Sequence, residues 1–429
     1  MTSSERPPYL IWWICLLLLL ASTINYMDRQ TLANTSERIT REFNLSEEQY
    51  GNIEMAFGLA FAVGASVFGL IADRTSVKWL YPTVLLLWSA MGFATGLVQT
   101  YMGLLWCRLF LGLFEAGHWP CALKTTQRLL PSSKRTLGNS VLQSGTAIGA
   151  MVTPLIIKSL MVDDGTGVPR PGSWRPAFQI IGAVGVVWAA LWLITLWNQD
   201  LEATEEDLKA KPGTDPSSAP PDSFLKVLMS RKFAALVVVV ISINLCWHQF
   251  RVWMQKFLIN GRGYSEIASL DVNFWFNVMT DIGCLTAGFA TALLFRFGYS
   301  SHAARFWVFG ICALLVASGG LIPWLPAGPA LIAVLMIVGL GSLGLFPCYY
   351  AFTQELSVVH QGKVAGTLGT IAWIFPSVWH RQFGRIVDQT KSYDVGMSIA
   401  SWMPLVAVLA LIVLWPREHH KQEPLASEV

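Results

Sequence analysis

Twelve apolar stretches, each close to the roughly twenty residues that a helix needs to cross hydrocarbon, recur along this chain, and they constrain its fold more than any single motif does. The first six cover residues 9–28, 50–71, 79–99, 101–122, 137–160 and 174–197. The second six cover 232–258, 268–296, 302–323, 327–351, 361–388 and 393–416. Backbone in lipid must satisfy its own hydrogen bonds, so stretches of this length read as spanning helices. The expected fold is an all-α integral membrane protein with twelve transmembrane helices in two six-helix halves. Composition agrees: only 13% of the 429 residues are charged, about half the share usual in a soluble domain.

A polar interval separates the two sixes. It opens on Leu201-Glu202-Ala203-Thr204-Glu205-Glu206-Asp207 and continues through a stretch rich in Pro and Ser between Lys211 and Pro221, which is linker composition. The expected organisation is an N-terminal half (1–197), a cytoplasmic linker (198–231), a C-terminal half (232–416) and a cytoplasmic tail (417–429). Near-equal halves are what a duplicated six-helix unit gives. Of the 30 Lys and Arg residues, 17 fall on the side of the amino terminus and eight on the other, which by the positive-inside rule places both termini in the cytoplasm. The first stretch runs into Asn25-Tyr26-Met27-Asp28-Arg29 without a clear small-x-small cleavage site, so it reads as an uncleaved helix.

Several function classes drop out. The seven cysteines all lie in apolar stretches with no CxxC pair, and read as packing residues rather than metal or redox ligands. No basic block interleaved with aromatics points to nucleic acid, and no HExxH, GxSxG or P-loop pattern points to an enzyme. Neither a cofactor nor a metal is expected.

The remaining five basic residues, Arg29, Arg108, Arg251, Arg381 and Arg385, fall within the helices. At the bilayer centre each costs about 2.5–3.5 kcal/mol on insertion scales. Asp28, Glu54, Glu115, Asp281, His118, His248 and His380 join them, and a polar cavity between helices is the natural place to hold such groups. Arg108 and Glu115 stand seven residues apart, two helical turns, and so share a face. They are either a structural ion pair or a working one, since a buried carboxylate tuned by a guanidinium can exchange a proton near neutral pH. Gly112 and Gly117, in the same stretch, allow a neighbouring helix to come close.

Asp28 and Arg29 project about 100° apart, so one can face a substrate and the other a partner helix. The alternative is a charge pair snorkelling to the interface. Arg is the side chain suited to a carboxylate, because its planar fork stays charged when desolvated. His248, Gln249 and Arg251, flanked by Trp247 and Trp253, are either the second half's contribution to the cavity or an interfacial cluster. Tyr349 and Tyr350 are either hydrogen-bonding partners of a polyol or part of an aromatic belt. Glu54 and Asp281 have no sequence partner, and the roles of His380 and Arg381 stay open.

The segment Gly69-Leu70-Ile71-Ala72-Asp73-Arg74-Thr75-Ser76-Val77-Lys78 resembles the cytoplasmic loop motif of the major facilitator superfamily, with Ser76 where a glycine is usual. In that reading Gly69 permits close packing, and Asp73 and Arg74 form the loop's capping and pairing element. Asn25-Tyr26-Met27-Asp28-Arg29 together with Arg108–Pro120 further resembles the anion:cation symporter family, which includes hexuronate and galactonate transporters. The resemblance implies that Asp28 and Glu115 are proton-coupling acids, that Arg29 holds the substrate carboxylate and that Arg108 partners the acid. It places Tyr26 at a sugar-acid contact and Gly145-Thr146-Ala147-Ile148-Gly149 with Pro154 in a glycine-rich fifth helix, where Gln143 and Thr146 face the cavity. Two positions depart: Phe61 stands for a Tyr and Thr370 for an Asn.

The function implied is proton-coupled import of a small organic anion, a sugar acid such as a hexuronate or aldonate, by alternating access. A bacterial-type inner membrane and a functional monomer in the bilayer are expected. The alternative is an anion antiporter or an exporter of an amphipathic compound.

Overall fold

The computed structural model describes residues 8–130, 132–161, 170–197, 224–356 and 361–415. Among these residues every regular element is helical. The first set comprises α1 (Pro8–Asn34), α2 (Ser36–Phe43), α3 (Glu47–Arg74), α4 (Val77–Thr95), α5 (Tyr101–Glu115), α6 (His118–Leu129), α7 (Ser132–Leu160) and α8 (Arg175–Thr195). The second comprises α9 (Phe224–Leu228), α10 (Arg231–Lys256), α11 (Glu266–Arg296), α12 (Ser301–Ala317), α13 (Pro329–Leu356), α14 (Gln361–Thr390) and α15 (Asp394–Leu414). Most of the expected linker, residues 198–223, and the tail 417–429 lie outside the described residues.

Nine helices among the described residues are long and apolar enough to cross a membrane. The expected segment 101–122 is instead two helices, α5 and α6, which break after Glu115 at Ala116–Gly117. The first helix is longer than its apolar run, so Asp28 and Arg29 sit inside α1 rather than at its end. After Arg29 the chain continues α1 to Asn34 and then forms α2. Beyond it, Ser46 starts α3 by accepting from the Gln49 backbone N–H while the Gln49 side chain returns a bond, a capping box that fixes the chain's re-entry.

Glycines set the closest helix contacts. A Cβ on Gly112 of α5 would overlap the Phe57 carbonyl of α3, and one on Gly145 or Gly149 of α7 would overlap the backbone of α1. Such near-contact of backbones is the usual way helices associate where no hydrophobic drive exists between them. Gly69 differs from its expected role: a Cβ there would meet nothing within 4 Å. The basic side chain of this loop region that does bind backbone is Lys124 of α6, whose Nζ donates to the carbonyls of Ala72 and of Thr75, 3.1 Å from the latter. It satisfies the acceptors that a helix C-terminus leaves open. The Asp73 side chain lies outside the described residues, and Arg74 is exposed.

The most extensive pairing between the two sets is α3 against α14. Gly384 and Gly51 bring the two backbones together near the end of the bundle that carries α2, and Phe57 and Phe61 meet Trp373 further along, with ring centroids 5.9 and 4.3 Å away. Beyond that point Gly366 and Gly369 have nothing within 4 Å of a Cβ position.

Candidate functional site

At the α2 end the two sets are tied by polar contacts. Arg38 donates to Glu266 at 2.9 Å, Lys256 pairs with Glu47 at 2.9 Å, and Asn260 donates to Glu37 at 2.7 Å. Asn273 bonds Asn34, and Lys158 pairs with Asp271 at 2.7 Å. Asp388 of α14 accepts from the backbone N–H groups of Glu47 and Glu48, capping α3 from the opposite set. Arg381 and Arg385 belong to this seam, both bonded to Glu48, and not to the interior. At the other end Gln143 and Tyr350 are exposed and Thr370 is partly so. The described polar contacts therefore close the bundle at its α2 end, and among the described residues these side chains at the other end carry no such ties between the sets.

Under the seam lies a buried charge cluster. Arg29 Nε of α1 donates to Glu115 Oε2 of α5 at 2.7 Å. Arg108 Nη2 of α5 donates to Glu54 Oε1 and Arg251 Nη2 of α10 donates to Glu54 Oε2, each at 3.3 Å. The expected contact between Arg108 and Glu115 is absent from the bonds around these residues, for a geometric reason. Seven residues put two side chains on one face but separate them by about 10 Å along the axis. Each therefore finds its partner on another helix. Glu54, isolated in sequence, stands one turn before Phe57, while Arg108 stands one turn before Gly112. The backbone contact of Gly112 with Phe57 delivers them to each other.

Asp28 and Arg29 do diverge as their spacing predicts, and both are buried, which removes the snorkelling alternative. Asp28 Oδ1 lies against Gly92 of α4, 2.9 Å from where a Cβ would stand, and its Oδ2 is buried without a hydrogen-bond partner. Arg29 turns the other way, its Cζ lying 4.8–5.7 Å from the rings of Tyr26, Phe57, Phe61 and Trp373. Four aromatic faces around one guanidinium hold it by cation–π attraction and exclude water.

The second set contributes through Trp373 and α10. His248 is buried, with its ring 4.8 Å from Trp373 and its Nδ1 accepting from Arg251 Nη2 at 3.3 Å. This places His248 and Arg251 in the interior and not in an interfacial cluster. Gln249 points away and accepts from Trp379 Nε1 at 2.8 Å. Tyr349 is buried, while Tyr350 is 56% exposed. Gln143 donates to Thr146 within α7, and Thr370 donates to Gly366 within α14. No bond of these last residues joins them to the charge cluster among the described residues.

The sequence offered no role for Glu54 or Trp373. Glu54 carried one signal, an acid in an apolar stretch, without a partner to give it meaning. Trp373 carried none among 19 tryptophans. His118, also buried, is a closed local bond: Ser22 Oγ and Tyr81 OH meet its two ring nitrogens at 3.0 and 2.9 Å. Among the described residues no group of three His, Cys, Asp or Glu could hold a metal ion.

A helical membrane bundle around a buried cluster of guanidinium groups and carboxylates is the architecture of a transporter, not of an enzyme. The family model of the Major Facilitator Superfamily matches residues 18–379, and the chain belongs to that superfamily. It is 25% identical over 421 residues to the hexuronate transporter of Escherichia coli strain K12, covering 94% of this chain and 93% of that one. The hexuronate transporter of Bacillus subtilis is 26% identical, with 93% of each chain covered. The galacturonate transporter of Dickeya chrysanthemi is 24% identical over 79% of this chain and 92% of its own. Among solved structures, a bacterial homologue of the lysosomal transporter Spinster, inward-facing and occupied, superposes with a TM-score of 0.77 at 16% identity, over 96% of this chain and 97% of that one. The inward open xylose transporter XylE from E. coli gives 0.73 at 13% identity, over 96% and 98%.

Proposed function

We propose that this chain imports a sugar acid, of the hexuronate or aldonate kind, together with protons. The observation that carries the reading is the cluster under the seam. Three guanidinium groups, Arg29, Arg108 and Arg251, share two carboxylates, Glu54 and Glu115. Buried donors remain unpaired on all three: Nη2 of Arg29, and Nε and Nη1 of Arg108 and Arg251. Planar forks with free, dry donors are seats for a carboxylate. Relatives that match over nearly the whole chain are hexuronate transporters, which supports the same substrate class.

In this reading Arg29 takes the substrate carboxylate, with Tyr26, Arg108, His248 and Arg251 around it. Gln143, Thr146, Tyr349, Tyr350 and Thr370 meet the substrate's hydroxyl groups. Asp28 and Glu115 carry the protons. The Arg29 fork serves either Glu115 or the incoming anion. A buried carboxylate that loses its guanidinium is costly as an anion, so substrate binding at Arg29 and protonation of Glu115 favour each other. Binding energies coupled in this way are reciprocal, which is all that symport requires.

Alternating access follows from rocking of residues 1–197 against 232–416 about the central site. We place the α2 end outside, the termini in the cytoplasm and the whole chain in a bacterial inner membrane, working as a monomer. The closed seam then belongs to an inward-facing state.

Purified protein in liposomes, offered hexuronates, aldonates and dicarboxylates under an imposed pH gradient, tests the reading. The expected result is sugar-acid entry that alkalinises the medium. Entry that acidifies the medium, or leaves its pH unchanged, would establish exchange or uniport instead.

A further inference from the structure

Glu54 is the one acid of the cluster to which the proposed mechanism gives no task. It sits on α3 in the first set and is buried. Its two oxygens are divided between Arg108 of its own set and Arg251 of the other. The bond to Arg251 is thus part of the seam, and the part nearest the site. Around it the seam is closely packed, Gly51 against the His380 backbone and Gly58 against the Ser377 side chain.

If the two sets rock apart at the α2 end, α3 leaves α14 and α10, and the Glu54–Arg251 bond has to break with the other contacts of the seam. The guanidinium of Arg251 then keeps only its own set's His248, bonded at 3.3 Å, as a neighbour of this cluster. A buried or half-buried guanidinium that has lost its carboxylate is under strong pressure to find another anion. The substrate is the anion at hand. Arg29 Cζ is 5.2 Å from the Trp373 ring and His248 is 4.8 Å from it, so one indole separates the proposed carboxylate seat from the group bonded to Arg251.

We infer that Glu54 is a state-dependent competitor for Arg251. With the α2 end closed it occupies Arg251; with that end open it releases the guanidinium to the sugar acid. The inference rests on the sugar-acid reading and adds an affinity switch to it. Substrate is held by Arg29 and Arg251 when the site faces outside, and by Arg29 without Arg251 when it faces inside. Release into the cell is then driven by an internal carboxylate that takes back its partner. Arg108, bonded to Glu54 within one set, stays with it throughout and positions it.

The two faces are measured separately in proteoliposomes of uniform orientation, as the apparent Km for a transported hexuronate applied from either side. The wild-type inner constant should exceed the outer one by tenfold or more. Glu54→Gln should lower the inner constant several-fold and leave the outer one near its wild-type value. Arg251→Gln should raise the outer constant tenfold or more and change the inner one little. This second variant keeps the test decisive if Glu54→Gln does not fold, because a merely structural role for Arg251 would move both constants alike. Equal shifts on both faces in Arg251→Gln, or an unmoved inner constant in a folded Glu54→Gln, would overturn the inference. Absence of wild-type flux would refute the sugar-acid reading and this inference together, whereas wild-type flux with those variant results refutes this inference alone.

Discussion

Arg29 and Glu115 are joined across α1 and α5 by a 2.7 Å bond from Nε to Oε2, with side chains 5% and 0% exposed. The pair links the proposed substrate seat to the proposed proton carrier in a single contact. Glu115→Gln keeps a hydrogen-bond acceptor for Arg29 but cannot exchange a proton. The variant should retain exchange of labelled for unlabelled hexuronate across a liposome membrane while losing accumulation driven by a pH gradient. Undiminished accumulation would remove Glu115 from the coupling role.

Arg29→Lys keeps the charge and gives up the fork. The guanidinium now serves Glu115 through Nε while Nη2 is free, and an ammonium cannot reproduce that division within the same aromatic cage. A charge-assisted hydrogen bond is worth about 1.5–3 kcal/mol, so the apparent Km should rise roughly 10- to 100-fold. Initial-rate measurements over a range of hexuronate concentrations check it.

Two glycines in apolar helices make opposite predictions. Gly112→Ala forces a methyl group into the Phe57 carbonyl and pushes α3 from α5, whereas Gly69→Ala places one in open space. Overpacking costs about 1–3 kcal/mol, so the first variant should melt several degrees lower in detergent and transport poorly. The second should be within about 0.5 kcal/mol of the parent. Thermal unfolding followed by tryptophan fluorescence separates them.

Lys256 is fully buried at the α2 end, between Glu47 at 2.9 Å and Glu37 at 3.9 Å. Lys256→Met leaves Glu47 in the seam without its cation, while Glu37 keeps Arg41 and Asn260, at a cost of roughly 3 kcal/mol or more for a broken buried pair. The closed state should lose ground to the state open at the α2 end. With Asn273→Cys as reporter in a background without the seven native cysteines, labelling by an impermeant thiol reagent should speed up more than tenfold. Equal labelling in both backgrounds would show that Lys256 does not hold the seam.

Glu42, on α2 outside the spanning helices, ties this short helix to α8. It is partly buried, which by itself raises a carboxyl pKa, yet bonds from Arg175, Trp174 and the Gly172 backbone together hold it below the usual carboxylate range. A depressed folded-state pKa gives stability that is present above the ordinary carboxylate pKa and fades as the pH falls through the folded-state value. The parent should therefore lose thermal stability on acidification below about pH 4, the ordinary Glu range. Glu42→Gln should start less stable at neutral pH and lose less over the same interval. Parallel melting curves against pH for the two proteins would dismiss the contribution.

The amino-acid order by itself determined what depends on distance along one helix. Stretches of the length of a bilayer made a helical membrane protein, since lipid leaves the backbone no other choice. The step of about 100° between neighbours sent Asp28 and Arg29 in different directions, as found, and Gly112 marked a close approach that the packing uses. The tertiary structure decided everything that depends on a second helix. Arg108 and Glu115 share a face, yet each bonds elsewhere: Glu115 with Arg29, 86 residues away, and Arg108 with Glu54, 54 residues away. Glu54 then meets Arg251 across 197 residues. The physical reason is that periodicity fixes the face a residue occupies, while the height and rotation of one helix against the next are set by where two backbones can touch. In helices apolar nearly all round, those touching points are a few glycines, and a buried ion takes whichever counter-charge they bring within reach.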